Sequence, residues 1–341
     1  MPLVSVVIPM TNYDKELVEA VDSVLSQTVK DLEIILVDNH ASAEVRDTAE
    51  RLREKNNGVV RLVSEEKRGA AAARNKGIFE SQGQYIALLD SDDRMKPRRI
   101  ETQLSAVRSD SGISLVGSWK DDISPDGREV VKKNCRPDIP RWATILFKNS
   151  ERFRTNPLYE PQTSSLFFEK DKAKAIGFFD ERFDPYWLHD TFFVYEMYLL
   201  GKVHVVKEAL SEQRMHTRED GKRRVLDLKR LELIGLFYKI LKENHYDAND
   251  PHSVLAFKKL RSRWLRESAI LILSYKKGRT FSRRLLERAL KDNPLSLKNW
   301  ETYFRMTLPR GVQPLPCGIP DIIDGALPDF MNERWIEEVF Q

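Results

Sequence analysis

Cysteine is scarce in this sequence, with two residues in 341, and Cys135 and Cys317 stand far apart without metal-type spacing. This scarcity argues against a disulfide framework and a cysteine-based zinc knuckle, so a reducing cytoplasm is the expected compartment. Residues 1–8 lack a basic leader followed by an apolar stretch, and no signal peptide is expected. The late apolar stretch at 269–273 is far shorter than the roughly 20 residues that a membrane span requires.

No Gly-x-Gly-x-x-Gly pattern follows any apolar run, which argues against a dinucleotide-binding dehydrogenase. Hydrophobic residues make up 41% of the chain and charged residues 32%, a composition typical of soluble globular proteins. The net charge of +4 conceals an asymmetry, because residues 222–291 hold 19 Lys or Arg against 7 Asp or Glu. This basic segment predicts a surface attracted to phosphates, with ordinary solvated helix faces as the alternative.

Short apolar runs alternate with helical patterns through the first 110 residues or so. Strands are predicted at residues 3–8, 32–37, 59–63 and 85–89, and helices at residues 15–26, 43–55, 69–80 and 97–107. The continuous apolar runs at 34–37 and 86–89 indicate strands covered on both faces. Four such units predict an α/β fold with a mostly parallel sheet flanked by helices.

The regularity weakens after residue 116, where Asp126-Gly127 predicts a tight turn between two antiparallel strands. A strand at 165–168 and helices at 170–176 and 190–200 are expected next. Beyond about residue 225 the pattern is almost wholly helical. The chain is therefore predicted to contain a sheet domain at residues 1–220 and a basic, mainly helical region at residues 221–341.

Polar residues follow each predicted strand, and such residues converge at the carboxyl edge of an open parallel sheet. The most informative group is Asp90-Ser91-Asp92-Asp93, with three carboxylates in four residues after a buried strand. Because these carboxylates repel one another unless a cation lies between them, the cluster predicts a Mn²⁺ or Mg²⁺ site. The alternative is that Asp92 and Asp93 cap the following helix.

Four motifs in order resemble family 2 of the glycosyltransferases, whose fold is called GT-A. They are Val4-Ser5-Val6-Val7-Ile8-Pro9, Ile34-Ile35-Leu36-Val37-Asp38-Asn39, Arg68-Gly69-Ala70-Ala71-Ala72-Ala73-Arg74-Asn75 and Tyr85-Ile86-Ala87-Leu88-Leu89-Asp90-Ser91-Asp92-Asp93. The resemblance covers roughly residues 3–217. It implies a GT-A-like α/β sheet domain with a helical C-terminal extension, and a nucleotide-sugar donor.

The resemblance also implies roles on the donor side. Asp38 would contact the nucleotide base, Asp90 the ribose, and Asp92 a Mn²⁺ or Mg²⁺ ion on the diphosphate. The expected nucleotide-binding residues are Pro9, Asn12, Asp38, Gly69, Arg74, Asp90 and Ser91. His216 stands where relatives carry a late histidine near the metal, although a lone histidine is more often a surface residue. Close packing of the Gly69 turn and an ion pair of Arg74 with a nearby aspartate are the alternatives.

On the acceptor side, the resemblance places the catalytic base at Asp190. His189 replaces the glutamate usual in the family, and Trp187 is a candidate for stacking on the acceptor sugar together with His189. Capping of the helix that runs to Leu200 is the alternative for Asp190, and it is compatible with a base. Further stacking candidates are Trp119, Trp142, Tyr159 and Tyr186, whose alternative is a place in the core.

The predicted function is inverting transfer of a sugar from a nucleotide diphosphate sugar to a hydroxyl of a glycan or lipid-linked acceptor. Surface polysaccharide or glycolipid synthesis in the cytoplasm is expected, with peripheral contact at the inner face of the membrane left open and no nucleic acid partner. A metal-dependent nucleotidyltransferase is one alternative, although residues 9–13 offer no Gly-rich basic loop. A nucleic-acid-binding or phosphate-binding module with an inactive sheet domain is the other.

Overall fold

A computed structural model describes residues 2–10, 12, 14–184, 188–215, 235–272 and 278–307. The chain divides into two compact units, one of residues 1–140 with 150–218 and the other of residues 141–149 with 219–341. The segment 141–149 therefore leaves the sheet unit that surrounds it in sequence and joins the C-terminal unit. Sequence periodicity carries no sign of this excursion.

The first half of the sheet is parallel. Its strands are β1 (Val4–Met10), β2 (Leu32–Asp38), β3 (Val60–Ser64) and β4 (Tyr85–Leu88), in the spatial order β3-β2-β1-β4. In register, Val7 lies beside Ile35 on one side and Leu88 on the other. The apolar side chains of β1 and β2 are buried, as the continuous apolar runs predicted.

The second half of the sheet is mixed. It contains β5 (Arg94–Met95), β6 (Ile113–Ile123), β8 (Phe167–Glu169) and β9 (Lys202–Arg214), and the order continues from β4 as β8-β6-β9-β5. The turn at Asp126-Gly127 joins β6 to β7 (Val130–Cys135) as an antiparallel pair, which confirms the predicted hairpin. The long strand β9 was not predicted, because its sequence mixes charged and apolar residues without strict alternation.

Helices cover both faces of the sheet. Those of the sheet unit are α1 (Asp14–Leu25), α2 (Ala43–Lys55), α3 (Ala70–Glu80), α4 (Arg99–Ser109), α6 (Glu151–Thr155), α7 (Lys170–Ala175) and α8 (Leu188–Leu200). Leu17, Val21 and Val45 pack with Val6 on one face. On the other face, Gly77 of α3 lies so close that an added Cβ would stand 2.3 Å from Val7. The predicted α/β fold is confirmed.

The C-terminal unit is helical in its described parts. It contains α5 (Arg141–Phe147), α9 (235–245), α10 (Pro251–Ile272), α11 (Gly278–Asp292) and α12 (Leu297–Thr307). Trp142 meets Phe237 edge to face at 4.9 Å, and Tyr238 meets Trp264 at 5.3 Å, so aromatic rings form much of its core. Among the described helices, none has both the length and the apolar character needed to cross a bilayer.

Candidate active site

The acidic cluster lies where the strand order reverses. β1 is flanked by β2 and β4, so the chain passes outward in one direction through β2 and β3 and in the other through β4. Open α/β sheets bind ligands in the crevice at such a point, outside the carboxyl ends of the strands. Asp90 and Asp92 come just after β4. Asp38 ends β2, which lies on the other side of β1. The sheet topology thus brings the predicted donor residues to one edge.

Arg74 is the centre of the charged network at this edge. Its side chain, 6% exposed, projects from α3, and Nη2 donates to Asp90 Oδ1 at 2.7 Å. Nη1 donates to Asp190 Oδ1 at 3.2 Å and lies 2.6 Å from His189 Nε2. The guanidinium therefore joins the acidic cluster after β4 to the start of α8, and of the two uses predicted for Arg74 the structure shows the ion pair.

Asp190 lies in the first turn of α8, where its negative charge also faces the positive end of the helix dipole. Burial by itself would raise the pKa of this carboxyl. The charge of Arg74, followed by the interactions with His189 and Thr163, outweighs burial and holds the pKa of Asp190 well below its usual range. Asp190 is therefore ionised at neutral pH, as a base must be before it accepts a proton.

His189 is buried beside the two aspartates. Its Nε2 lies 3.1 Å from Asp190 Oδ1, and its Nδ1 lies 3.7 Å from Asp184 Oδ1. Asp184 in turn accepts hydrogen bonds from the backbone N–H groups of Ala71 at 2.9 Å and Ala72 at 3.1 Å. The side chain of Asp184 thus caps α3 from more than a hundred residues away, and its carboxylate also lies near the His189 imidazole.

Gly69 is the position that lets Asp184 approach. Its φ is +152°, and a Cβ built there would stand 2.1 Å from Asp184 Oδ2. The sequence predicted that a nucleotide base or a phosphate would lie against this turn, whereas the structure shows a carboxylate at the first free N–H groups of α3. Contact of Gly69 with a nucleotide stays a prediction.

Asp93 differs from the other two carboxylates of the cluster. Only 2% of Asp93 is exposed, and its carboxylate accepts from Ser164 Oγ at 2.6 Å, Gln162 Nε2 at 3.1 Å and the backbone N–H of Arg214 at 2.9 Å. Burial, followed by the charges of Asp92 and Asp90, raises the pKa of Asp93 well above its usual range. A buried carboxyl with these partners holds the loop together.

The cap alternative for Asp92 and Asp93 is wrong. The short strand β5 follows the cluster, and α4 begins only at Arg99, with Arg98 as its N-cap. Neither aspartate is therefore at the start of the helix. The sequence-based boundary at Pro97 was close, but it could not reveal the intervening strand.

Asp92 is half-buried at the mouth of the cluster. In the described part of the chain, no group of three or more His, Cys, Asp or Glu side chains is arranged to hold a metal ion. One carboxylate with a second nearby, completed by substrate phosphates and water, is nevertheless a usual arrangement for Mg²⁺. The oxygen donors of Asp92 and Asp90 therefore fit an ion that binds together with a diphosphate.

Asp38 and Asn39 organise the loop after β2. Asp38 accepts from the backbone N–H of Ala41 at 2.9 Å and pairs with Arg46 at 2.8 Å. The amide of Asn39 donates to the carbonyls of Glu65 and Lys67, and its Oδ1 accepts from the N–H of Gly69 at 2.9 Å. Asn39 thus ties the loop after β2 to the turn before α3, a task that a second aspartate would perform poorly.

Of the remaining predicted site residues, some are described by the structure and others lie outside the described residues. Pro9 lies within β1, Asn12 is exposed after that strand, and Ser91 is buried between Asp90 and Asp92. Trp187 and His216 lie outside the described residues. Asp184 and Ser164 were missed, because neither stands in a motif and each acts on residues more than 70 positions away.

Comparison with known proteins gives this site its family. The family described as Glycosyl transferase family 2 matches residues 5–177, just over half of the chain, and this range includes β1 to β4 with the acidic cluster. The chain belongs to that family. The predicted family membership is confirmed.

Relatives with names include glycosyltransferase GlyG of Streptococcus pneumoniae, 38% identical over 37% of this chain and 42% of GlyG. Another is chondroitin synthase of Pasteurella multocida, 32% identical over 45% of this chain and 16% of the synthase. The chain thus matches less than half the length of either relative. Among solved structures, S. aureus TarS 1-349 in complex with UDP aligns over 90% of both chains with a TM-score of 0.55 and 14% identity, which shows a shared fold.

Proposed function

We propose that this family 2 glycosyltransferase is an inverting enzyme that moves a sugar from a nucleotide diphosphate sugar to a hydroxyl of a glycan or lipid-linked acceptor. Surface polysaccharide or glycolipid synthesis is the proposed context, since relatives include a chondroitin synthase. The enzyme would act in the cytoplasm, at or near the inner face of the membrane. The alternative of nucleotidyl transfer loses its support once the chain belongs to a glycosyltransferase family, whereas the alternative of an inactive binding module is tested by the donor screen below.

The observation that carries the proposal is the bridge from Asp90 through Arg74 to Asp190. It joins the carboxyl end of a central parallel strand, where a nucleotide diphosphate would lie, to an ionised carboxylate at the start of α8. An inverting transfer requires such a base on the side of the sugar opposite the leaving group. The pairing of one guanidinium with a carboxylate at this crevice and with the candidate base supports the proposal.

On the donor side, Asp38 would accept hydrogen bonds from the base and Asp90 from the ribose. Asp92 would hold a Mn²⁺ or Mg²⁺ ion, with His216 as a further candidate ligand, and a bound ion would neutralise charge on the diphosphate. The structure of TarS bound to UDP supports a uridine nucleotide as a donor worth testing first. GDP and dTDP sugars remain the comparison set.

On the acceptor side, Asp190 would take the proton of the acceptor hydroxyl, with Trp187 and His189 beside the acceptor. A carboxylate with a strongly lowered pKa is a weak base. The pairing with Arg74 therefore reduces the basicity of Asp190. A diphosphate near Arg74 would compete for the guanidinium, and the pKa of Asp190 would then rise. The base would thereby become stronger when the donor is bound.

Asp190→Asn tests this assignment. Transfer should fall by roughly a thousandfold, because general base catalysis typically contributes about 10²–10⁴ in rate. The affinity for UDP with Mn²⁺, measured by calorimetry, should stay within about threefold of the wild type, because Asn keeps the side-chain shape. Undiminished transfer by Asp190→Asn would refute the base assignment, and Asp171→Asn on α7 serves as the matched control.

The donor is identified by a thermal-shift screen of UDP-, GDP- and dTDP-sugars with Mn²⁺. A ligand that binds only the folded state stabilises it by RT ln(1 + [L]/Kd), so at equal concentration the tighter ligand raises the unfolding temperature more. The largest shift should come from the true donor, and the shift should shrink when Mn²⁺ is omitted. Absence of any shift with all three classes would count against a nucleotide-sugar transferase.

A further inference from the structure

A groove lies on the sheet unit away from the acidic cluster. Its volume is about 920 Å³, within the usual range of ligand sites, and it is lined by residues of β6, β9 and the segments 136–137 and 155–159. It follows β6 from Ile113 to Trp119, a span of about 20 Å at the rise of a β-strand. A groove of this length suits a chain molecule better than a compact one.

The groove carries an excess of positive charge. Asp110 is the single carboxylate on its lining, and Lys202 neutralises it at 2.7 Å. Arg136 and Lys207 also line the groove, and among the described residues neither forms an ion pair. Two cations are therefore left to face an anionic ligand.

Lys207 reaches the groove because of an irregularity in the sheet. Ser118 pairs with Val206, but the next residue, Trp119, pairs with Ala209. Lys207 and Glu208 thus form a bulge without partners on β6, and bulges redirect side chains near functional sites. Lys207 lines the groove, whereas Glu208 does not.

Aromatic side chains accompany the cations. The guanidinium of Arg136 lies over the Trp119 ring, 5.0 Å from its centroid, and Tyr159 lines the same groove. Trp119 and Tyr159 are half-buried, so each ring keeps an exposed part. Aromatic rings stack on the apolar faces of sugars, and the adjacent guanidinium adds a donor for charged substituents.

One end of the groove is connected to the candidate base. Tyr159 is followed by Glu160, whose carboxylate accepts a hydrogen bond from Thr191, the residue after Asp190. One hydrogen bond thus links the residue after the candidate base to the residue after a groove-lining tyrosine. The rest of the groove is lined by β6 and β9.

We propose that this groove binds an anionic acceptor glycan, with Trp119 stacked on a sugar and with Arg136 and Lys207 contacting carboxylate or phosphate groups of the chain. The proposal rests on the proposed function, since it supplies the acceptor class for that same transfer.

Calorimetry with three probes of matched length tests the groove without any donor present. The probes are tetragalacturonate, a mannose tetrasaccharide with 6-phosphates, and neutral maltotetraose. At least one anionic probe should bind about tenfold more tightly than maltotetraose, and added salt should reduce that preference. Carboxylate and phosphate acceptors are told apart by which probe binds better. Equal binding of all three probes, or no binding of any, overturns the proposal.

Variants locate the binding. The double variant Arg136→Gln with Lys207→Gln should weaken the anionic probe about tenfold and leave maltotetraose unchanged. Trp119→Ala should weaken every probe that binds, and Trp119→Phe should restore most of the loss. Arg53→Gln with Lys55→Gln on α2 removes two exposed cations elsewhere and should have no effect. An unchanged double variant, or an equal loss in the α2 control, contradicts the groove.

Affinity for UDP with Mn²⁺ is measured on the same proteins. The groove variants should retain the wild-type value, which also shows that they are folded. If the wild type binds no nucleotide yet prefers anionic probes, the proposed transferase function is refuted, whereas the proposal that the groove binds an anionic glycan is supported. If the wild type binds nucleotide but shows no preference for anionic probes, only the proposal for the groove is refuted.

Discussion

The two halves of the sheet hold their charged residues in different ways. In the parallel half, Asp38 pairs with Arg46, which follows it by eight positions and belongs to the next helix. In the mixed half, Asp93 is held by Ser164 and by the backbone of Arg214, which lie 71 and 121 positions away. The carboxylate of the parallel half is thus held by a local contact, whereas the buried carboxylate of the mixed half depends on contacts between distant segments.

Arg74 belongs to both halves, which explains its burial. It projects from a helix of the parallel half and neutralises one carboxylate on each side. Without it, Asp90 and Asp190 would face each other partly desolvated. The difference between the halves teaches that a charge read locally as a phosphate contact can serve mainly to join two parts of a site.

The largest effect is expected for Arg74→Gln. The free energy of unfolding should fall by about 3 kcal/mol, because removing one member of a buried ion pair leaves the others uncompensated. The stabilisation from the lowered pKa of Asp190 is fully present above the ordinary carboxyl pKa of about 4 and is lost as the pH falls below it. Denaturant unfolding measures the free energy of unfolding of the wild type and of Arg74→Gln. The difference between the two values should become smaller below about pH 4.

Arg46→Gln is the matched control in the parallel half. Arg46 is half exposed and, among the residues that the structure describes, pairs only with Asp38, so its loss should cost no more than about 1 kcal/mol. If Arg74→Gln and Arg46→Gln lower the free energy of unfolding equally, the two halves of the sheet do not differ in how strongly they depend on their ion pairs.

Asp92→Asn should act on nucleotide affinity. Affinity for UDP in the presence of Mn²⁺ should fall at least about tenfold, because an amide is a much weaker ligand for a hard cation than a carboxylate. Without metal, the wild type and the variant should bind UDP equally weakly. Metal-independent binding by the wild type would remove Asp92 from the donor site.

Gly69→Ala should destabilise the fold by roughly 2 kcal/mol, because the added Cβ would collide with the Asp184 carboxylate at a backbone angle that favours glycine. Gly58 also has a positive φ but no atom near its would-be Cβ. Gly58→Ala should therefore cost only about 1 kcal/mol. Thermal unfolding measures both, and equal losses would show that Asp184 can move aside.

The smallest effect is expected for Asn39→Asp, which introduces the residue common in the family. The new carboxylate would face the carbonyls of Glu65 and Lys67 without a proton to donate, at a cost of about 1–2 kcal/mol. Asn249→Asp, at an exposed loop position, should change the stability little. An unaltered or raised unfolding temperature for Asn39→Asp would show that this loop rearranges easily.

Much of the parallel half was predictable. The helix α2 was predicted with its observed ends, since Ser42 caps it and its apolar residues recur at helical spacing. Strands β1 to β4 were predicted to within two residues at each end. The site residues that follow these strands were predictable for the same reason, because strand ends in a parallel sheet share an edge.

The mixed half was harder for a physical reason. Strand β9 pairs with a strand about 90 residues earlier in the chain, β6, and contains a bulge. Neither hydrophobic periodicity nor motif spacing therefore predicts it. The segment 141–149 joins another unit, and Asp184 caps a helix far earlier in the chain. Such features arise from packing between segments.

By itself, the sequence determined the order of the first four βα units, the acidic cluster after the fourth strand and the family to which these belong. Hydrophobic periodicity and short motifs encode those features locally. Only the tertiary structure decided that Asp93 is buried within the loop, that Arg74 pairs with Asp90 and Asp190, and that Lys207 turns into a groove. Burial and charge pairing depend on which distant residues meet, and folding alone establishes that.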